Sequence, residues 1–195
     1  MSALEIISTL LGIWSYIEII RRKTRGLVLG FVAVLLLACL FYQVRLYSDM
    51  ALMLYYATAC LAALIFWRRA FQKTNTIQIT QLSRRTHWVL LIALPVAIGL
   101  LTVIAARLHL WEPALFPEAA RMPLGDATTT ILGITASILI IQRKVEAMAF
   151  WLIGDSLSTL IYAKSGIYFL AFVYIAYIVI DAAGLFIWTR RLRDS

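Results

Sequence analysis

The sequence predicts an all-α integral membrane protein with seven transmembrane helices, arranged as two parallel three-helix repeats joined by a linker helix. The first observation behind this prediction is composition. Of the 195 residues, 63% are hydrophobic and 14% are charged, and the mean hydropathy is +0.87. A water-soluble domain of this length is far less apolar. The second observation is where the basic residues lie between the apolar stretches, and the third is an internal repeat.

Seven apolar stretches are each close to the ~20 residues that a helix needs to cross the hydrocarbon layer of a bilayer. The N-terminal stretch has neither a basic leader nor a small-residue cleavage site, so we expect it to be retained as the first helix. The stretches cover residues 3–20, 27–44, 49–67, 87–106, 125–142, 147–163 and 167–189.

Basic residues are concentrated in alternate connections between these stretches. Four follow the first stretch, five follow the third, two follow the fifth and three lie in the C-terminal tail. The positive-inside rule therefore predicts an outer N-terminus and a cytoplasmic C-terminus, and the alternation requires an odd number of spans. The net charge of +8 thus indicates membrane topology, and we do not expect the protein to bind nucleic acid.

The chain resembles itself at a fixed offset of 121 residues. Residues 12–69 align with residues 133–190 without a gap, and about a quarter of the aligned positions are identical. An Arg-Lys pair, two tyrosines and the alignment of Trp67 with Trp188 are identities that a shared apolar composition does not explain. Because three spans plus one linker return the chain to its starting side, the two repeats must run parallel.

The repeat divides the chain into three parts. We expect a first three-helix repeat over residues 1–69 and a loop with the linker helix over 70–107. An outer loop, the second repeat and the cytoplasmic tail occupy 108–195. The polar loop 70–86 is expected to be a solvated connector. Parallel repeats occur in transporters that bind substrate near the bilayer midplane. A duplication with a purely structural role is the alternative.

The sixth and seventh spans each carry a polar and aromatic face. A carboxyl group at the centre of a transmembrane helix costs about 2.5–3.5 kcal/mol, so such groups normally face a bundle interior or a wet cavity. Two acids among aromatic rings suggest a site for a flat, polar ligand, with a cation favoured. Alternatively, the acids only hydrogen-bond one helix to another. Helical spacing groups Trp151, Asp155, Ser158 and Tyr162 on one helix and Tyr174, Tyr177 and Asp181 on the next.

Four further residues are weaker candidates for the same site. Thr129 and Thr130 lie on the polar face of the fifth span, although hydroxyl groups in spans often bond only to their own helix. Trp14 and Tyr56 of the first repeat are candidate aromatic walls, although single aromatic residues more often serve packing or interfacial anchoring. The positions that align with Asp155 and Asp181 in the first repeat are apolar, so the polar groups of the site should come mainly from the second repeat.

Several other classes of protein are disfavoured. Cys39 and Cys60 have no paired spacing and the two histidines are isolated, so we expect no disulfide, no metal site and no cofactor. An enzyme is disfavoured because the chain offers no recognisable nucleophile, metal cluster or close acid pair. A retinal protein is disfavoured because the last span contains no lysine.

Two stretches resemble the PnuC family of bacterial vitamin transporters. The first runs from Gln43 to Tyr56, reading QVRLYSDMALMLYY, and ends at Trp67. The second begins with GDATTT at 125–130 and continues through the RKVE segment at 143–146 to Trp151, Tyr168 and the last tryptophan. The resemblance covers essentially the whole chain and is moderately specific.

The resemblance implies a SWEET-like 3+1+3 fold, commonly a homotrimer, in a bacterial inner membrane. It also implies facilitated diffusion of nicotinamide riboside, with trapping by a cytoplasmic kinase that phosphorylates the vitamin. Met148 stands where the family has the first of two tryptophans, and Asp155 stands where asparagine is common. Relatives with such changes carry thiamine or riboflavin.

The two aspartates favour a flat aromatic cation over neutral riboflavin, since cation–π attraction adds ~0.5–2 kcal/mol when desolvated. Nicotinamide riboside is therefore the first expectation and thiamine the alternative. A proton-coupled carrier and a non-transporting membrane subunit also remain open.

Overall fold

The polypeptide forms seven α-helices and no strand within residues 3–43, 47–114, 116, 118–120, 122–166 and 168–193, which are the residues that the computed structural model describes. The predicted all-helical class and the count of seven are confirmed for these residues. Part of the first family-like stretch, residues 44–46, lies outside them. The helices are α1 (Ala3–Ile20), α2 (Thr24–Gln43), α3 (Tyr47–Thr74), α4 (Arg84–Trp111), α5 (Pro123–Ile141), α6 (Glu146–Lys164) and α7 (Tyr168–Arg193).

Three of these helices, α4, α5 and α7, are long and apolar enough on their own to cross a bilayer. Shorter apolar stretches occupy Ile6–Ile20 of α1 and Thr24–Leu40 of α2. Helix α4, which the sequence predicts to be the linker, has no buried residue, and large apolar side chains such as Leu91 and Ile92 are exposed along it. Contiguous exposed apolar surface of this kind is typical of a helix that faces lipid or another apolar partner.

The chain forms two compact units that each draw on separate stretches of sequence. The first unit comprises Met1–Thr80, Ser137–Val145 and Ala183–Ser195, and the second comprises Gln81–Ala136 and Glu146–Ala182. In the first unit, α1 packs on α2 and α2 packs on α3. The second unit contains α4, α6 and the larger parts of α5 and α7.

Gly26 permits the close approach of α1 and α2 in the first unit. A Cβ atom at this position would lie 2.7 Å from the carbonyl oxygen of Ser15 and 2.8 Å from the backbone nitrogen of Ile19. The hydroxyl group of Ser15 donates a hydrogen bond of 2.8 Å to the carbonyl of Gly26. Because the obstructing atoms belong to the backbone, a side chain here would push the two helices apart.

Two helices, α1 and α5, end in the same backbone conformation at positions 121 residues apart. Arg22 and Arg143 both adopt the left-handed region, with φ of 62° and 61°. At the end of α1, the N–H of Arg22 donates to the carbonyl of Ile19 at 2.8 Å, and the N–H of Lys23 donates to the backbone carbonyl of Glu18 at 2.9 Å. The corresponding bonds at the end of α5 measure 3.0 and 2.9 Å. This is the Schellman arrangement, which satisfies carbonyl groups that a helix end leaves without partners.

Two buried tryptophans donate hydrogen bonds to these helix ends. Trp67 and Trp188 are both 0% exposed. The indole N–H of Trp188 donates to the carbonyl of Ile20 at 2.9 Å, and that of Trp67 donates to Ile140 at 3.0 Å. The C-terminal ends of α3 and α7 are therefore each fixed to the last turn of another helix by a buried hydrogen bond.

The segment between α3 and α4 differs from the solvated connector that its polar composition suggested. The helix continues to Thr74, and beyond it Ile77 and Ile79 are buried while Gln78 between them is exposed. Apolar residues two positions apart share one face of an extended chain, so a segment that is polar on average still buries one side.

Backbone hydrogen bonds hold this segment against the end of α5. The N–H of Thr80 donates to the carbonyl of Arg143, and the N–H of Val145 donates back to Thr80, both at 3.0 Å. The guanidinium of Arg22 donates to the carbonyl of Ile77 at 2.9 Å. The segment therefore belongs to the packed structure of the first unit.

Candidate functional site

Two buried carboxyl groups meet in the second unit. Asp155 on α6 is 6% exposed and Asp181 on α7 is 0% exposed. Their side chains hydrogen-bond to each other. A carboxyl group can donate a hydrogen bond only when it carries a proton, so a hydrogen bond between the two acids requires a proton on at least one of them. The sequence placed the two acids on separate helices, and the structure brings them together.

A row of tyrosine rings leads to this acid pair. The ring centroids of Tyr162 and Tyr174 are 5.2 Å apart with an interplanar angle of 37°. The rings of Tyr174 and Tyr177 are 6.0 Å apart at 71°, which is an edge-to-face arrangement. Tyr177 also lies within electrostatic range of Asp155 and Asp181. Three of the tyrosines predicted on α6 and α7 therefore form a row beside the two acids.

The remaining α6 candidates lie on the same helix as Asp155. Trp151 is one turn before it and half-buried, and Ser158 is one turn after it and 8% exposed. On the side of α5, a Cβ atom at Gly154 would lie 3.7 Å from the Cβ of Leu132, which is ordinary van der Waals distance. The candidate face of α6 thus carries a carboxyl, a hydroxyl and an indole within three helical turns.

The threonines of α5 are half-buried. The hydroxyl group of Thr129 donates to the carbonyl groups of Gly125 and Asp126, at 3.2 and 3.1 Å. Its hydroxyl is therefore used within its own helix in this state, as residues of this type often are. Thr130 follows on the same helix, and the role of both threonines stays a prediction.

The two first-repeat candidates belong to the first unit. Trp14 on α1 is 55% exposed, and Tyr56 on α3 is half-buried. The ring of Tyr56 lies 5.4 Å from that of Tyr55, whose hydroxyl shares a hydrogen bond of 2.8 Å with the hydroxyl of Ser137. Trp14 and Tyr56 stay predictions. The hydrogen bond between Tyr55 and Ser137 was not predicted, because the two residues are distant in sequence.

Sequence reasoning also missed a third buried acid. Glu18 on α1 is 1% exposed, and its carboxylate pairs with Arg25 and, at 3.5 Å, with Arg21. Arg21 three residues later on the same face was the available signal. Because two arginines engage Glu18, this acid is a structural anchor of the first unit.

His87 is not the isolated histidine that the sequence suggested. Its Nε2 atom lies 3.5 Å from the Oε1 atom of Glu146, and its Nδ1 atom lies 3.0 Å from the carbonyl oxygen of Ser83. The same Oε1 atom accepts the N–H of Leu82 at 2.9 Å. Histidine and glutamate therefore fix the start of α4 near the start of α6, and the described residues contain no cluster of three metal-ligating side chains.

Comparison with known proteins identifies the family. The family model described as the nicotinamide mononucleotide transporter matches residues 2–190. The chain belongs to the nicotinamide mononucleotide transporter family. Members of this family are transporters and not enzymes, as the sequence predicted, and the family implies a multi-pass protein of the inner membrane.

Individual relatives in this family are distant but cover the chain. The nicotinamide riboside transporter PnuC of Escherichia coli strain K12 is 25% identical over 214 residues, which span 100% of this chain and 88% of the relative. The protein of the same name from Neisseria mucosa is 24% identical over 203 residues, covering 98% and 74%. A crystal structure of the vitamin B3 transporter PnuC superimposes with a TM-score of 0.74 at 21% identity, covering 98% of this chain and 82% of that one. The structural likeness shows that the fold is shared.

Proposed function

We propose that this protein transports nicotinamide riboside across the bacterial inner membrane by facilitated diffusion. The family and the names of the relatives support a transporter for this vitamin. The single observation that carries the proposal for this chain is the hydrogen-bonded Asp155–Asp181 pair beside the row of tyrosines. Burying two acids only to join two helices costs free energy, and a bound cationic ligand would offset that cost.

The charge of the pair matches the charge of the proposed substrate. We propose that the two carboxyl groups share one proton, which leaves one negative charge, and the pyridinium ring of nicotinamide riboside carries one positive charge. The faces of Tyr174 and Tyr177 supply additional attraction for a flat cation. We therefore assign Asp155 and Asp181 to the charge of the ring or its substituents, and Trp151 with Tyr174 or Tyr177 to its stacking.

Thiamine is the second candidate substrate, because it is also a flat aromatic cation. Met148, which replaces the first of the two family tryptophans, is 0% exposed and lies one turn before the half-buried Trp151. Loss of one indole changes the shape of the site and leaves the requirement for a cation in place. The acid pair thus favours either cation over neutral riboflavin.

We propose that all seven helices span the membrane as two parallel three-helix repeats with α4 as the linker, in the 3+1+3 plan, with repeat boundaries near residues 69 and 107. Three observations support this plan: the sequence match at an offset of 121 residues, the equivalent helix ends at Arg22 and Arg143, and the reciprocal indole bonds of Trp67 and Trp188. The basic connections support an outer N-terminus and a cytoplasmic C-terminus.

We further propose a homotrimer whose flux is pulled inward by a cytoplasmic kinase that phosphorylates the vitamin. The kinase follows from the mechanism, because a facilitator only equilibrates its substrate and accumulation needs a trap. The trimer follows from the family resemblance.

A binding experiment selects the vitamin. Purified protein would be titrated with nicotinamide riboside, thiamine and riboflavin by isothermal calorimetry. We expect nicotinamide riboside to bind most tightly and riboflavin not to bind. Tighter binding of thiamine would make thiamine the substrate in place of nicotinamide riboside. Tighter binding of riboflavin would refute the role given to the acids.

A transport experiment separates the mechanisms. In proteoliposomes, a facilitator equilibrates labelled nicotinamide riboside to the same level with and without a proton gradient. Accumulation that depends on the gradient would show a proton-coupled carrier in which the acid pair exchanges its proton. No flux beyond that of empty vesicles, with binding intact, would show a non-transporting membrane subunit.

A further inference from the structure

The C-terminal end of α7 carries a groove in the first unit. A cavity of about 340 Å³ is lined by Phe186, Thr189, Arg190 and Arg193. Helical spacing puts these four side chains on one face of the last two turns of the helix. The ring of Phe186 is 66% exposed, so the groove is apolar at one end and basic at the other.

The two arginines of this groove are available to an external anion. Among the residues that the structure describes, no carboxylate forms an ion pair with Arg190 or Arg193. The buried acid of the same unit, Glu18, is already engaged by Arg21 and Arg25. Guanidinium groups bind phosphate oxygens in a bidentate geometry, and the hydroxyl group of Thr189 adds one more possible donor.

Positive charge is also dense at this end of α7. Burial and the positive charge of Arg191 lower the pKa of Arg22. The guanidinium of Arg22 donates to the uncharged carbonyl of Ile77 at 2.9 Å, which satisfies a donor and leaves its charge in place. An anion bound at this end of α7 would reduce the repulsion among these arginines.

We propose that this groove binds the headgroup of an anionic phospholipid in the leaflet where α7 ends, which is the cytoplasmic leaflet in the orientation proposed above. Arg190 and Arg193 bind the phosphate, and the exposed ring of Phe186 lies against the first part of an acyl chain. Basic residues at the cytoplasmic end of a transmembrane helix are a general means of attracting acidic lipids.

A lipid fits the groove better than free phosphate does. α7 is apolar enough to cross a bilayer, and Phe186 lies one turn nearer its centre than Arg190. A headgroup at the arginines therefore places the attached chain along the apolar part of the helix. Free phosphate would gain nothing from Phe186, so the ring distinguishes the two sources of the anion.

The first repeat provides a matched control. Arg68 and Arg69 are exposed at the end of α3, and Arg69 aligns with Arg190 at the offset of 121 residues. Substituting each pair by glutamine removes the same charge, and one position of each pair, Arg69 and Arg190, is aligned. None of the four arginines belongs to the acid pair or the tyrosine row. Each variant is therefore shown to be folded if it binds nicotinamide riboside and elutes as a single species.

Native mass spectrometry of protein in detergent, with equal amounts of phosphatidylglycerol and phosphatidylcholine added, measures lipid preference. We expect the unchanged protein and R68Q/R69Q to retain phosphatidylglycerol about tenfold in preference, and R190Q/R193Q to lose most of that preference. Equal loss in both double variants would show a general effect of net charge and would overturn the site.

Two further arms distinguish lipid from free anion. F186S should reduce retention of phosphatidylglycerol, whereas the unchanged protein should show no increase in melting temperature with millimolar inorganic phosphate. Protection by inorganic phosphate that equals protection by phosphatidylglycerol, and that R190Q/R193Q abolishes, would replace the lipid site with a free-phosphate site. Unaltered lipid retention by F186S would also contradict the proposed acyl contact.

Discussion

Substitution of the acid pair by amides tests the charge assigned to the site. In D155N, the amide of the new side chain can donate to the carboxylate of Asp181, so it replaces the shared proton and the pair keeps one negative charge. The same holds for D181N. The double variant D155N/D181N keeps the shape and the hydrogen bond and loses the charge. We therefore expect mild effects from the single variants and a large effect from the double variant.

The expected size follows from electrostatics in a buried site. One unit charge attracts another with about 4 kcal/mol at 4 Å when the effective dielectric constant is about 20, and with proportionally less at greater distance. Dehydration of the acids offsets part of this attraction. A net loss of roughly 1.5–3 kcal/mol corresponds to about a tenfold to hundredfold weaker binding of nicotinamide riboside in the double variant.

The assay compares two ligands of nearly the same shape. Nicotinamide riboside has a cationic ring, and its dihydro form has a neutral one. Isothermal calorimetry on the unchanged protein, both single variants and the double variant gives eight affinities. We expect the double variant to lose affinity for the cation and to bind the neutral form almost as the unchanged protein does. D126N removes an exposed acid of α5 and serves as the matched control.

The reasoning fails if the double variant binds both ligands with unchanged affinity, since the acids would then only join α6 to α7. It also fails if both ligands weaken equally, since the acids would then act through shape. Elution as a single species and an unchanged helical circular dichroism spectrum establish that the variants are folded.

Three further predictions concern the stability of the scaffold and can be measured by thermal unfolding in detergent. W67F and W188F each leave a buried carbonyl without its indole donor, so each should lower the free energy of unfolding by about 1–3 kcal/mol. A large difference between the two losses would contradict equivalent roles of the two tryptophans. G26A should destabilise by about 1–3 kcal/mol because of its backbone contacts, whereas G99A, with nothing within 4 Å, should be neutral or stabilising by up to about 1 kcal/mol. I79S should cost about 2 kcal/mol, and no loss would show that the segment after α3 is loosely attached.

The helices could be predicted from the sequence because their signals are local. Apolar length and alternating basic connections located each span to within a few residues, and α1 begins and ends where expected, at Ala3–Ile20. Larger differences occur at α3, which runs to Thr74, and at α4, which spans Arg84–Trp111. Hydropathy indicates the part of a helix that lies in the hydrocarbon layer. Hydrogen bonding decides where the helix begins and ends, as the N-cap Ser83 does at the start of α4.

The site could be predicted only in part. Helical spacing could place Asp155 on one face of α6 with its neighbours, because the period of a helix is fixed. The meeting of Asp155 with Asp181 depends on the rotation of α6 and α7 about their axes, which spacing within one helix does not determine. The contact between His87 and Glu146 was missed for the same reason, since the two residues are distant in sequence.

The two stretches that match at an offset of 121 residues are alike at the helix ends and differ in the middle, and this difference supports the proposed site. In the first repeat, Gly30 aligns with Trp151, and a Cβ atom at Gly30 would lie 2.7 Å from the hydroxyl oxygen of Ser15 and 3.4 Å from the sulfur of Cys60. Cys60 in turn aligns with Asp181. Close packing at Gly30 therefore leaves no room for an indole at this position. The aligned stretch 133–190 instead holds buried acids beside half-buried aromatic rings, and buried acids of this kind in a membrane protein favour the ligand site that we propose.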